Sequence, residues 1–264
     1  MRRTTMARRD VSGSPVIPAI DVARGRTTKP AGIGGLSDPS DPVEVALHHR
    51  GQGAERVLMR ILDPWEDRDS FLPLLRRMAN LGVPLWVTVD NGVPGSAGDL
   101  AELLDLGAEA VGVFTASAER PSMLHHTSGR FGRDRVLGVM KVRRAGQGGW
   151  NVATRGGGTP VDARVWAAML ADLGAGLILP HSLDREGTGR GFDLELIQAM
   201  TEAVDARVAA SGGCGTPRHL EAALARGAAN VLVNRMLHEG ACSLGEVTRH
   251  VRAGHTIADF PAGR

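Results

Sequence analysis

LAELLDLGA (100–108) and LEAALARGA (220–228) are two copies of one local device. Leu220, Ala223 and Leu224 fall at the three-and-four spacing that gives a helix one apolar face, and the first copy matches the pattern. Glycine then ends the helix, because it takes left-handed dihedrals cheaply, and an apolar run follows each copy. The same Gly-Ala pair precedes an apolar run at Gly53-Ala54 and at Gly174-Ala175. Gly53 and Gly174 lie 121 residues apart, and Gly107 and Gly227 lie 120 apart, so the chain reads as two similar halves.

Outward from these caps, apolar runs at 16–20, 57–62, 85–89, 110–114, 136–142, 177–179, 208–210 and 231–233 alternate with helical patterns. The helical stretches include 42–50, 71–81, 100–106, 165–173, 194–204 and 220–225. Strand followed by helix, repeated, argues for parallel strands with crossover helices. Eight strands suit either a (β/α)₈ TIM barrel or a doubly wound open sheet, and the internal repeat favours a barrel of two half-barrels. The barrel is expected over 15–255, with tails at 1–14 and 256–264.

The 264 residues carry 31 Lys+Arg against 29 Asp+Glu, so no basic footprint for nucleic acid stands out. No apolar run approaches the roughly 20 residues of a membrane span. Cys214 and Cys242 are too few for a disulfide framework or a cysteine zinc cluster, and no metal or other cofactor is expected. The basic start MRRTTMARRD (1–10) leads into a stretch broken by Gly13, Pro15 and Pro18, unlike a signal peptide, so a cytoplasmic location is expected.

In a barrel, ligands meet the loops at the C-terminal strand ends. Ser211-Gly212-Gly213-Cys214-Gly215 follows a strand and precedes a helix, so its amides can face an anion unobstructed. The turn DREGTGRG (184–191), with Gly187 and Thr188, is a second glycine-rich candidate, and Asn234-Arg235 adds a cation after the last strand. Together they favour phosphate; tight loops without a ligand are the alternative. Asp21 ends the first strand, where a carboxylate can serve as general acid or base. His181 and Ser182 end the sixth strand beside Asp184, but adjacent strand residues point to opposite faces, so no triad follows. His48-His49 and His125-His126 are expected on helix surfaces, while Trp65, Trp150 and Trp166 fit either core or lid.

The stretches IPAIDVARGRTTK (17–29), DPVEVA (41–46), GAEAVGVFTASAERPS (107–122), HSLDREGTGRGFDLELI (181–197) and ASGGCGTPRHLEAALARGAANVLV (210–233) resemble the histidine-biosynthesis barrel family. The likeness is greatest to its imidazole glycerol phosphate synthase cyclases. It implies a (β/α)₈ barrel, a substrate bearing two phosphates, and lyase and ring-closing chemistry with ammonia. It implies catalytic places for Asp21, Lys29, His181 and Asp184, and phosphate contacts at Gly187, Thr188, Gly212, Gly213, Asn234, Arg235, Gly92 and Thr115.

Several positions depart from that pattern. The family's second catalytic aspartate, on the fifth strand, falls on Met140, and Lys141 could serve only if the register shifts by one. On the second strand the usual aspartate falls on Ile61, with Asp63 two places later, and on the fourth strand Phe114 replaces an asparagine. The third strand ends in Asp90-Asn91-Gly92 in place of three glycines, and a carboxylate there opposes phosphate. The charged ring that closes the cyclase's ammonia passage corresponds to Pro15, Arg56, Ala110 and Leu177, which disfavours a glutamine amidotransferase partner. Three functions follow: a diverged enzyme on a phosphorylated sugar or nucleotide, with Asp21 as acid or base; an ordinary cyclase, with neighbours such as Asp63, Lys141 and His181 filling the gaps; or a non-catalytic barrel that binds a phosphorylated ligand or a partner.

Overall fold

The four Gly-Ala caps carry one backbone conformation: Gly53, Gly107, Gly174 and Gly227 have φ between +92° and +107°. Each follows a helix, and the Ala54, Ala175 and Ala228 amides reach back to the carbonyls of His49, Leu170 and Ala223, the bond pattern of a Schellman cap. The structure, a computed structural model, describes residues 13–28, 31–82, 84–92, 94, 96–114, 120–146, 148–153 and 161–252. Of the expected tails it describes Gly13 and Ser14 alone; Ser14 is buried, its amide donating to Glu55 at 2.7 Å.

The caps launch alternate strands of a closed barrel. Its strands are β1 (Val16–Ala23), β2 (Val57–Pro64), β3 (Leu85–Asn91), β4 (Ala108–Val113), β5 (Val136–Arg144), β6 (Leu177–Ser182), β7 (Arg207–Ala210) and β8 (Asn230–Val233). All eight pair in parallel in chain order, and β8 returns to β1 through Val16↔Val231 and Ile17↔Leu232. That closure excludes the open sheet. Between and after the strands run α1 (Pro42–Gly51), α2 (Leu72–Ala79), α3 (Ala97–Asp105), α4 (Ser122–Phe131), α5 (Ala163–Asp172), α6 (Leu194–Ala203), α7 (Pro217–Ala225), α8 (Arg235–His238) and α9 (Leu244–Arg252). α4 escapes the periodicity because His, Ser, Thr and Gly dilute its buried face of Met123, Leu124 and Thr127.

Strand alternation sorts the apolar residues into two cores. Ile17, Leu58, Trp86, Ala110, Leu137, Leu177 and Leu232 fill the barrel interior, whereas Met59, Ile61, Met140 and Val142 pack outward against the helices. The tryptophans join the structure's packing: Trp65 packs edge-on to Phe71, Trp150 donates to Asp193 at 2.8 Å, and Trp166 lies against the outer core.

His49 corrects one expectation. It lies on the same face of α1 as Pro42, Val45 and Ala46 and is 1% exposed, while His125 and His126 are exposed on α4. Its ring stacks on His238 of α8 at 5.9 Å, and neither ring nitrogen has a partner among the described residues. Burial, with His238 and His48 nearby, holds its pKa down at about 3. The unfolded chain therefore takes up this proton first as pH falls below about 6.5. Stability carried by the neutral ring is complete above that pH and drains away down to about 3. His49→Leu is expected to remove about 3 kcal/mol of the acid destabilisation between pH 6.5 and 4, read by denaturant melts at several pH values. An unchanged pH dependence would contradict a neutral buried ring.

Candidate active site

The alternation that fills the interior also decides which side chains reach the mouth. Two residues beyond Ala19, Leu58, Thr88, Val139 and Leu179 stand Asp21, Arg60, Asp90, Lys141 and His181. The strand register sets Asp21 beside Arg60 and Lys141 beside His181, with Arg60 level with Thr88 and Asp90 two residues further up its strand. Ser211, just past β7, completes the ring by bridging to His181. On β5 the group at the mouth is thus Lys141, and Met140 points into the outer core. On β2 it is Arg60, and Ile61 points outward.

Arg60 is the hub. Its Nη2 donates to Asp21 Oδ2 at 2.9 Å and to Glu186 Oε1 at 3.2 Å. Its Nε lies 2.9 Å from Asp21 Oδ1, off the hydrogen-bonding direction, and 4.0 Å from Asp90. Burial opposes the guanidinium charge, but Asp21, Asp90 and Glu186 outweigh it, and the Arg60 pKa is raised. Lys141 Nζ pairs with the buried Asp90 at 3.0 Å and lies 5.1 Å over the Phe114 ring.

Glu186 reaches in from the β6 loop. His181 Nε2 is 3.1 Å from Glu186 Oε1, and His181 Nδ1 is 2.8 Å from Ser211 Oγ. The hydrogen bond from His181, ahead of an opposing burial effect and with Arg60 adding to it, brings the Glu186 carboxyl down to about 2. Next to these groups opens a cavity of about 370 Å³, walled by Asp21, Arg60, His181, Ser211, Asn234 and Arg235 together with Gly187, Gly212 and Gly213. Gly212 and Gly213 have φ of +91° and +102°, and a Cβ on either would strike the carbonyl of Ser182 or Gly191. The loop therefore needs glycine, and its bare amides remain beside the cavity.

The remaining expected site residues divide. Arg235 donates to the Gly187 carbonyl and, at 2.7 Å, to Glu239, tying the β6 loop to α8. Thr188 holds its own turn, donating to the Arg185 carbonyl at 2.8 Å and accepting from the Arg190 amide. Asp184 is exposed outside the cavity wall and accepts the Arg144 amide at 2.7 Å. Asp63 holds the Arg24 amide with both oxygens, at 3.0 and 2.8 Å, where Arg24 turns left-handed at φ +52°. Gly92 is walled by Glu66 and Trp65, and Asn91 donates to the Leu62 carbonyl. Lys29 and Thr115 lie outside the described residues.

Arg60 is missing from the expected set, and Glu186 and Ser211 entered it only as members of their glycine-rich loops, with no role of their own. A single charged residue inside the apolar run VLMRIL (57–62) was the available signal for Arg60. At the opposite end of the barrel, Arg56 pairs with Glu109 at 2.7 and 2.9 Å and lies 4.9 Å over Trp86, whose ring occupies the interior. Ala110 and Leu177, two more of the positions matched to the ammonia-gate ring, are buried there. Among the described residues no cluster of His, Cys, Asp and Glu could hold a metal, and no helix is long and apolar enough to cross a membrane.

Comparison with known proteins bears on this barrel as a whole. The profile of the family described as Histidine biosynthesis protein matches residues 15–243. The chain is 40% identical over 251 residues to the imidazole glycerol phosphate synthase subunit HisF of Salinispora arenicola, covering 92% of this chain and 97% of that one. The proteins of the same name from Streptomyces avermitilis and Corynebacterium diphtheriae are 39% and 40% identical, with the same coverage. A likeness of that depth, spanning every barrel strand, places the chain in the histidine biosynthesis protein family, among relatives named as HisF.

Proposed function

We propose that the protein is a diverged HisF-like enzyme that holds a phosphorylated sugar or nucleotide against the Gly212-Gly213 loop and carries out lyase or ring-closing chemistry with Asp21 as general acid or base. One observation carries this reading: Arg60 engages both Asp21 oxygens at the mouth, and Lys141 rather than a carboxylate stands at the tip of β5.

That arrangement changes the chemistry available. Two facing carboxylates can pass protons to and from one substrate; here Asp21 faces the Arg60 guanidinium, and the ammonium of Lys141 is paired with Asp90. Asp21 can exchange a proton with a bound substrate, while Arg60 offers a fixed positive charge to an oxygen that becomes negative in the transition state. The amides of Gly212 and Gly213, with Arg235, suit a phosphate that anchors the substrate beside Asp21.

The lower end of the barrel supports the second half of the reading, that ammonia is not delivered through it by a glutamine amidotransferase. The Arg56–Glu109 pair neutralises the one charge at the gate positions, and Trp86 and Leu177 occupy the axis above it. The other reading, an ordinary cyclase of histidine synthesis, is favoured by the 40% identity to proteins of that name across 92% of the chain.

Supplied with the imidazole glycerol phosphate synthase substrate and ammonium salt, the purified protein is expected to form little or no imidazole product. Robust turnover, followed by chromatography, would establish the ordinary cyclase instead. Inorganic phosphate in large excess is expected to raise the melting midpoint by several degrees by mass action, and less so in Arg235→Ala. A midpoint indifferent to phosphate would remove the anion from the cavity. Arg60→Met is expected to cost about 1.5–3 kcal/mol near neutral pH, because it removes the charged hydrogen bonds to the partly exposed Asp21 and Glu186. The share of the loss that comes from Glu186, whose carboxyl Arg60 helps hold at about 2, should shrink as pH falls from 4.5 toward 2. A loss that stays constant through that range in denaturant titrations would show that Arg60 does not hold Glu186.

A further inference from the structure

We propose that Ser211, His181 and Glu186 form a nucleophile relay in which the Ser211 hydroxyl attacks the carbonyl carbon of a small carboxylic ester. The proposal goes beyond the phosphate reading: the Ser211, His181 and Glu186 contacts need no phosphate, although an ester and a phosphate would compete for the same Gly212 and Gly213 amides.

The geometry of a working relay is a nucleophile and a base within hydrogen-bond reach, with a third group orienting the base. Ser211 Oγ lies 2.8 Å from His181 Nδ1, and His181 Nε2 lies 3.1 Å from Glu186 Oε1. All three line one cavity, and Ser211 is partly exposed to it. The direction of the protons follows from the carboxylate. Glu186, ionised by its contacts with His181 and Arg60, can only accept. In the neutral ring that the relay uses, the proton then sits on Nε2 toward Glu186, and the Nδ1 lone pair is left to accept the Ser211 hydroxyl. Arg60 Nη1, 3.5 Å from Nε2, is a weaker neighbour than Glu186, and its Nη2 fixes the same Glu186 oxygen.

The residues that follow Ser211 supply the other requirement of acyl transfer. Gly212 and Gly213 line the cavity, and their amides have no recorded partner among the described residues. They are placed to accept the charge of a carbonyl oxygen as it becomes an oxyanion. Cys214 does not compete as a nucleophile, because burial pushes its thiol up to about 12. A cavity of about 370 Å³ restricts the acyl group to a small one.

The step balances with water as the only co-reactant. Ser211 Oγ bonds to the carbonyl carbon while its proton passes to His181 Nδ1, and the carbonyl electron pair moves onto oxygen beside the glycine amides. Collapse re-forms the carbonyl and breaks the bond to the alcohol, whose alkoxide takes the proton from Nδ1. Water then attacks the acyl-serine in the same way, releasing the acid and restoring the hydroxyl. His181 exchanges the proton with the reacting atoms; Glu186 is a positioning residue.

The test uses a fluorophosphonate probe on the full chain, read by intact mass and peptide mapping, with p-nitrophenyl acetate hydrolysis alongside. One phosphonyl group per chain is expected, on the peptide carrying Ser211 and absent in Ser211→Ala. His181→Gln should slow labelling about 10²-fold or more. Glu186→Gln should slow it less, and Glu186→Asp should recover part of the rate, which loss of packing alone would not produce. Each variant's melting midpoint is checked first. No adduct on the folded wild-type chain, an adduct elsewhere, or Ser211 labelling equally fast in folded His181→Gln would each overturn the relay. None of these results depends on phosphate binding, so failure here is separable from failure of the phosphate reading.

Discussion

Arg60 brings a permanent positive charge to a place where little water reaches it, and the mouth of the barrel is organised around carrying that charge. A lone guanidinium there would be prohibitively costly; ringed by Asp21, Asp90 and Glu186 it is tolerated and even stabilised as a cation. The cost of desolvation obliges each partner to stay close, so one side chain on β2 fixes carboxylates from β1, β3 and the β6 loop. Lys141 takes the second share of Asp90 from across the barrel. The network belongs to the tertiary structure, since its members span residues 21 to 186.

This constraint links stability to chemistry. Asp21 is held by Arg60, so a change at either side chain is felt by the network as a whole. His181, by contrast, reaches Glu186 on one side and Ser211 on the other, in line with the cavity. The mouth thus has a static half, where charges hold one another, and a half with a hydroxyl, an imidazole and bare amides facing open space. At the other end of the barrel, Arg56 pairs with Glu109 and lies over Trp86, whose ring belongs to the interior core. The two ends therefore differ in kind: one opens on a cavity, and the other carries an ion pair over a buried tryptophan.

Much of the barrel was legible because its signals are local. Each Gly-Ala cap depends on one backbone conformation at one residue, and the eight apolar strand runs needed no knowledge of their neighbours. Asp21, His181, Gly212 and Gly213 were equally accessible, since a strand end or a glycine loop announces itself in sequence. His49 was misplaced to the surface because a polar residue in a helix looks exposed until its face is known. Its spacing from Val45 and Ala46 would have placed it in the core. Asp184 was singled out in the sequence and Glu186 was not, yet the path of the loop turns Glu186 toward Arg60 and Asp184 toward the Arg144 amide.

The sequence by itself determined the alternation of strand and helix, the division into halves and the glycine-lined side of the mouth, because dihedral preference and periodicity act over a few residues. Only the tertiary structure decided that Lys141 rather than Met140, and Arg60 rather than Ile61, face the axis. A strand's side chains alternate with a period of two, so a slip of one residue exchanges its inner and outer sets. Which set is inner is fixed when β8 closes on β1 and every strand must match two neighbours at once.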